Sequence, residues 1–369
     1  MAFLKLVAAN DTFGALVAVT EALAGKHALF ITPPESNGLM PEVHGLPDEV
    51  PDDVAFLVQS SGSTGTPKLI QLSAAAAIAS AKASAARLGG SGQWLLALPI
   101  NYIAGLNVLV RSAIAETQPV MMNTSVTFTP EAFVASTSLM RGEKKFTALV
   151  PTQLSRLAIA AQHDESVLRA LKSFDAILVG GQATAPALLK ELRRQNVKVV
   201  ETYGSAESFG GVVYDGIALP GVTISLSSDS RIQIESETLA NGIGPKFSTN
   251  DLGEFVDDKL QVLGRADRVI ISGGVKVSLD RVETIAREIA GVVEMVAAPI
   301  EDAEWGQRVG IVYLGSPEVS DEIATQLAGL LGPAAKPLRI VRVDLVPKLS
   351  NGKYNLLAVA EIFKREANG

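Results

Sequence analysis

The chain has 369 residues, 47% apolar and 19% charged, so it can bury a sizeable core and is too long for one small domain. A net charge of -7 argues against a nucleic-acid-binding surface, and the absence of cysteine excludes disulfides, thiolate metal sites and a cysteine nucleophile. The three histidines, His27, His44 and His163, are too scattered to suggest a metal site or a triad.

The N-terminal stretch MAFLKLVAANDTFGALVAVTEALAG sets Asp11 and Glu21 inside its apolar pattern, so it does not read as a signal peptide. No apolar run approaches the roughly 20 residues that span a bilayer. These features suggest a soluble, cytoplasmic α/β protein with no membrane insertion and no nucleic-acid partner. Strand-like runs then precede helix-like ones repeatedly. VAFLVQSS (54–61) leads through a glycine-rich loop to an alanine-rich helix, and QWLLALPI (93–100) leads to AGLNVLVRSAIAE. KFTALVP (145–151) precedes TQLSRLAIAAQ, and AILVGG (176–181) precedes APALLKELRRQ. This alternation predicts a layered, largely parallel sheet with helices on both faces, with ligands beyond the carboxyl ends of the strands. The loops at Ser60–Lys68, Gly180–Ala183 and Tyr203–Glu207 are expected there. From about residue 212 the pattern changes to short β segments, then a helix at LDRVETIAREIAG and two further strands. A small α+β unit is expected to begin near Arg265–Arg268.

The loop QSSGSTGTPKLIQLS (59–73) carries the first chemistry. Its glycines let backbone N–H groups converge on an anion, and its hydroxyls add donors. It lacks the Walker A spacing and the G-x-S-x-G of a nucleophile elbow. Alone, it reads as a phosphate cradle somewhat more than as a plain Gly/Ser turn.

Its company carries a resemblance. The loop is similar to the phosphate loop of the adenylate-forming superfamily of acyl-CoA ligases, luciferases and adenylation domains. ETYGSAES (201–208) resembles that family's Y-G-x-[TS]-E, and STNDLGEF (248–255) its T-G-D-x-G. LGRADRVIISGGVKVSLDRVE resembles the hinge and following glycine loop, EDAEWGQRV a C-terminal-domain pattern, and PKLSNGKYNLL (347–357) the terminal lysine motif. The resemblance implies a large layered α/β N-terminal domain, 1–265, binding ATP and the acyl substrate. A small mobile α+β C-terminal domain, 266–369, would carry the catalytic lysine.

The same resemblance implies roles for single residues. Ser61, Gly62, Ser63, Thr64, Gly65 and Lys68 would hold phosphates. Tyr203, followed by Gly204, would stack on adenine, Asp251 and Arg265 would bind ribose, and Glu207 would hold Mg²⁺. Lys353 would be catalytic, neutralising charge as a carboxylate attacks the α-phosphorus. Asp267 would be the hinge, and Gly273, Gly274 and Lys276 would line the path of coenzyme A, although a β-turn explains the glycine pair equally well.

With only about 60 residues before the phosphate loop, the chain resembles the short o-succinylbenzoate–CoA ligases of menaquinone synthesis. LPINYIAGLNVLVRS (98–112) and LVPTQLSRL (149–157) are similar to strings of that family. In the second, Arg156 would meet the succinyl carboxylate, pointing off a helix face of Leu154, Leu157, Ala158 and Ala161. Gly180, Gly181 and Gln182 would form the wall between acyl pocket and nucleotide, with Ser205 near the substrate. A homodimer is implied by the resemblance alone. Four positions depart from the family pattern: Tyr102 for histidine, Ala206 and Leu349 for hydroxyl residues, and Asn250 for glycine. A ligase for another carboxylate, or a nucleotide-binding pseudoenzyme, remains an alternative.

Overall fold

The computed structural model describes residues 1–36, 39–41, 43, 45–60, 68–348 and 354–368, with side chains through residue 366. The chain separates into two compact units. The first comprises Met1–Ser225, Gln233–Ser248 and Asp257–Leu260, and the second Leu226–Ile232, Thr249–Val256 and Gln261–Gly369.

The first unit contains two sheets. One is built from β1 (Ala2–Ala8), β2 (Ala28–Thr32), β3 (Glu49–Val50), β4 (Val54–Ser60) and β5 (Lys68–Ser73), in the order β3-β1-β2-β4-β5. Strands β1, β2 and β4 run parallel, while β3 and β5 pair antiparallel at the edges. The second sheet comprises β6 (Gln93–Leu96), β7 (Val120–Met121), β8 (Lys145–Leu149), β9 (Ala176–Gly180), β10 (Val199–Ser205), β11 (Gly210–Tyr214) and β12 (Ile217–Ala218). Its order is β12-β11-β10-β9-β8-β6-β7, parallel from β7 to β10 and antiparallel beyond.

Helices α1 (Thr12–Leu23), α2 (Ala74–Arg87) and α3 (Ile103–Ile114) share one core with both sheets. That core joins Val19, Phe56, Ala76, Ala77, Val108, Trp94 and Leu96. The alanine content of α2 explains its place, because small side chains let a helix approach its neighbours closely. The opposite face of the second sheet, through Leu95, Leu149, Ile177 and Val179, packs on α4 (Pro130–Ser138), α5 (Pro151–Ala160), α6 (Glu165–Lys172) and α7 (Pro186–Arg194). Strands such as β6 are therefore apolar on both sides, as a parallel sheet covered on both faces requires.

A four-stranded sheet follows, β13 (Val222–Leu226), β14 (Arg231–Ser236), β15 (Phe247–Val256) and β16 (Lys259–Arg265), paired in chain order. The second unit has its own five-stranded sheet of β17 (Val269–Ser272), β18 (Val275–Ser278), β19 (Val292–Asp302), β20 (Gly306–Gly315) and β21 (Arg339–Arg342). One face packs on α8 (Leu279–Ala286) and α9 (Ser320–Leu331) through Val282, Ile311 and Ile323. The other packs on α10 (Leu356–Asn368) through Val296, Val312, Val359 and Phe363.

One local expectation fails. The loop after VAFLVQSS does not run into the alanine-rich helix, because β5 intervenes and pairs antiparallel with β4 from Ser60↔Lys68 to Val54↔Ser73. The glycine-rich segment therefore joins the strands of a hairpin. The run KLIQLS carries little strand signal because it alternates only weakly and ends in Ser73, whose hydroxyl also caps α2 by accepting from Ala76 N.

Candidate functional site

Strands β9 and β10 run parallel with Gly180 opposite Thr202, so the segment 180–182 and the Tyr203–Glu207 segment emerge at the same end of the sheet. Gly180 is needed for that approach, since a Cβ there would lie 2.3 Å from Thr202 Oγ1. Gly181 has φ +86° and open space around it, and it and Gln182 are exposed. Tyr203 proves to be a strand residue, opposite Val213 in β11, and not a loop residue. A register shift follows it, and Gly204 then comes so close to β11 that a Cβ would lie 1.9 Å from Gly210 O.

Beyond Ser205, residues Ala206–Ser208 make one 3₁₀ turn that carries Glu207, and Phe209 follows in the left-handed conformation at φ 54°. Ser208 Oγ ties the turn together, accepting from Ser205 N at 3.0 Å and donating to Gly210 O at 2.9 Å. Ala206 belongs to the apolar core cluster, so the methyl that replaces the family's hydroxyl packs there. Ser205 Oγ is shielded from solvent and has no hydrogen-bond partner among the described residues.

Sequence reasoning missed how the two sheets are joined here. Ala240 N donates to Glu207 O at 2.8 Å, and the next residue, Asn241, donates through its N to Gln71 O at 2.9 Å. Asn241 Nδ2 also reaches Asp53 Oδ2 at 2.7 Å. The Glu207 turn and the β4–β5 hairpin bearing Lys68 are thus stitched through two consecutive backbone amides. Lys68 is exposed at the start of β5. Ser61, Gly62, Ser63, Thr64, Gly65, Leu349 and Lys353 lie outside the described residues.

Arg156 is exposed on α5, and its Nη1 donates to Phe128 O at 3.3 Å, while Leu154 and Leu157 are fully buried. Tyr102 sits at the amino end of α3, 38% exposed, with its phenol pushed up chiefly by burial.

The remaining sequence-predicted residues belong to the second unit. Asp251 lies in β15, and its N donates to Thr249 Oγ1 at 3.1 Å. Arg265 ends β16 with Nη1 3.8 Å from Asp251 Oδ1. Its fork grips Asp267 through Nε at 2.8 Å and Nη2 at 2.6 Å. Those hydrogen bonds hold the Asp267 carboxyl below its usual range. Arg265 N donates to Asp280 Oδ2 at 2.7 Å. Gly273 and Gly274, at φ +56° and +81°, are the two-residue turn between β17 and β18, so a hairpin accounts for the pair. A Cβ on Gly273 would meet Trp305 Cε3 at 2.7 Å, whereas Gly274 faces open space, and Lys276 is exposed. Lys348 and Tyr354 form an isolated antiparallel bridge, with Lys348 Nζ 2.5 Å from Glu294 Oε1. Burial pushes the Tyr354 phenol up to about 12.

A family model described as AMP-binding enzyme matches residues 8–245. The chain belongs to the AMP-binding enzyme family. A probable 2-succinylbenzoate–CoA ligase of Mycobacterium tuberculosis is 34% identical over 386 aligned positions, covering 100% of both chains. Bacillus subtilis o-succinylbenzoate CoA synthetase, solved with the acyl-adenylate intermediate OSB-AMP, superposes with TM-score 0.74 at 22% identity, over 92% of this chain and 79% of that one. The same enzyme with ATP and magnesium ion gives 0.72 at 23%, over 82% and 68%. At such identities the structural matches establish the fold, an adenylate-forming α/β architecture.

No cluster of three acidic, imidazole or thiol ligands occurs among the described residues. A magnesium ion carried on phosphate oxygens needs only one or two protein carboxylates, which suits the single carboxylate of Glu207. No helix among the described residues is long and apolar enough to cross a membrane.

Proposed function

We propose that the chain is an AMP-forming acid–thiol ligase that activates o-succinylbenzoate with ATP and passes the acyl group to coenzyme A, in menaquinone biosynthesis. The observation that carries this reading is the full-length relationship to the mycobacterial ligase, together with the Tyr203–Glu207 turn emerging beside Gly180–Gln182.

In the first step a substrate carboxylate oxygen attacks the α-phosphorus, the bond to the β-phosphate breaks, and pyrophosphate leaves. Tyr203 offers a flat ring for adenine, and Asp251 and Arg265 offer an acceptor and a donor for the ribose. Lys68 and the hydroxyls of Ser61, Ser63 and Thr64, with Gly62 and Gly65, address the phosphates. Glu207 would hold Mg²⁺, which supplies positive charge against the phosphate oxygens. Ser205 Oγ takes the donor role that Ala206 cannot. Lys353 neutralises the charge that builds as the carboxylate attacks. Arg156 is assigned to the succinyl carboxylate, because its exposed guanidinium is engaged only by one long bond to a carbonyl among the described residues.

In the second step the coenzyme A sulfur attacks the acyl carbon and AMP leaves with the carboxyl oxygen. Gly273, Gly274 and Lys276 are assigned to the coenzyme A path, and Asp267 to the hinge between a domain of 1–265 and a domain of 266–369. The reading carries a cytoplasmic location and a homodimer, the latter open to sedimentation of the purified chain.

ATP-dependent pyrophosphate release across a panel of carboxylates, with and without coenzyme A, tests the proposal. Release confined to o-succinylbenzoate is expected. Release with a different acid would replace the substrate, and ATP binding without release on any acid would favour the pseudoenzyme.

A further inference from the structure

Two helices hold β11 at both ends with a row of buried polar side chains that the reaction itself does not use. At the start of the strand, Phe209 O accepts from Asn107 Nδ2 at 2.9 Å and from Ser80 Oγ at 3.3 Å. At its end, the Tyr214 hydroxyl meets Ser84 Oγ at 2.9 Å and accepts from Arg111 Nη2 at 3.2 Å. Ser80 and Ser84 are four residues apart on α2, and Asn107 and Arg111 four apart on α3, so each pair presents one helix face. The strand they hold is the one that pairs Gly204↔Gly211 and Ser205↔Gly210, closing the turn that carries Glu207.

The doubly held carbonyl is the sensitive point. Phe209 is left-handed, a conformation that L-residues rarely adopt because Cβ crowds the following carbonyl. Gly210 follows at φ +89°, with Asn107 Nδ2 only 2.5 Å from where its Cβ would be. Two successive positive-φ residues, separated from Glu207 by Ser208 alone, reverse the chain. Two donors on the intervening carbonyl fix the orientation of the peptide between them. Simple core filling does not explain Asn107. It is 2% exposed, and its Oδ1 has no partner among the described residues, so it carries a desolvation cost that leucine would not.

We propose that Asn107, assisted by Ser80, is a positioning residue that sets the Glu207 carboxylate for metal-bound ATP. This rests on the assignment of Glu207 to Mg²⁺. Calorimetric binding of Mg·ATP and of metal-free AMP, with no carboxylate present, separates positioning from folding. Asn107→Leu should raise the Kd for Mg·ATP about tenfold, in the range seen when a group supporting a metal ligand is removed. The Kd for AMP should stay within about twofold of wild type, since AMP binds without the metal that Glu207 is assigned to hold. Ser80→Ala should shift the same ratio in the same direction by less, and it keeps the test alive if Asn107→Leu does not fold. An unchanged Mg·ATP affinity in the folded variants, or equal weakening of Mg·ATP and AMP, would overturn the proposal. Glu207→Gln in the same titration isolates the parent assignment. If it leaves the ratio at wild type, the metal role of Glu207 is wrong, whatever Asn107 does.

Discussion

The turn after β10 and the segment after β16 are held by different physics. In the first unit, Ser80, Ser84, Asn107 and Arg111 reach a backbone carbonyl and a phenol, with no carboxylate in the cluster. In the second, Arg268 pairs with both Asp280 and Glu283, Arg287 reaches Glu283 at 2.6 Å, and Arg265 grips Asp267. Hydrogen bonds to a fixed carbonyl define one geometry. Ion pairs between side chains can exchange partners, and Arg265 already has Asp251 at 3.8 Å beside its Asp267 contacts. A turn held in one geometry suits the Mg²⁺ role proposed for Glu207, and exchangeable pairs suit the hinge role proposed for Asp267.

The contrast can be broken most strongly at Glu283. Glu283 is 6% exposed, and its carboxylate joins two guanidiniums and the Ala297 amide. Glu283→Ala should cost about 3–5 kcal/mol, the usual penalty when one member of a buried charge network is removed. Denaturant unfolding checks this; a loss under about 1 kcal/mol would mean the network contributes no more than surface pairs do. Next in size, Lys353→Ala should slow adenylation by about 10²–10³-fold, as for loss of one transition-state donor. Thioester formation from supplied acyl-adenylate should survive, and equal loss of both steps would remove Lys353 from the first.

Gly204→Ala probes the rigid side. Its Cβ would collide with a backbone carbonyl that cannot move without shifting β11, so about 1–3 kcal/mol of stability should go, with Mg·ATP binding weakened alongside. Thermal unfolding and calorimetry together read both effects, and tolerance of alanine would show that the turn is looser than its hydrogen bonds imply.

The smallest effect is on pH. The Asp267 carboxyl is held below the usual aspartate range when folded, chiefly by the Arg265 hydrogen bonds. Its pair therefore stabilises fully above about pH 4 and is lost as pH falls through the lower folded value. Urea midpoints between pH 5 and pH 2.5 should fall less steeply in Asp267→Asn than in wild type. Identical slopes would mean the pair is absent in solution.

Much of this was written in local sequence. Alternating strand and helix runs announced a layered α/β fold, because period and composition are properties of neighbouring residues. The glycine pair before β18 read equally as a β-turn or as part of a ligand path, and the motifs around Tyr203, Glu207, Asp251 and Lys353 carried the family resemblance. The tertiary structure alone decided what holds those residues. Phe209 finds its donors 129 and 102 positions away in Ser80 and Asn107, and Glu207 is fixed from Ala240 through a backbone amide that any residue could offer. Such contacts leave no periodic trace, since they depend on which helix faces which strand end once the core has packed. Local patterns chose the elements and packing chose their partners, because a hydrogen bond across a core is set by distance in space and not along the chain.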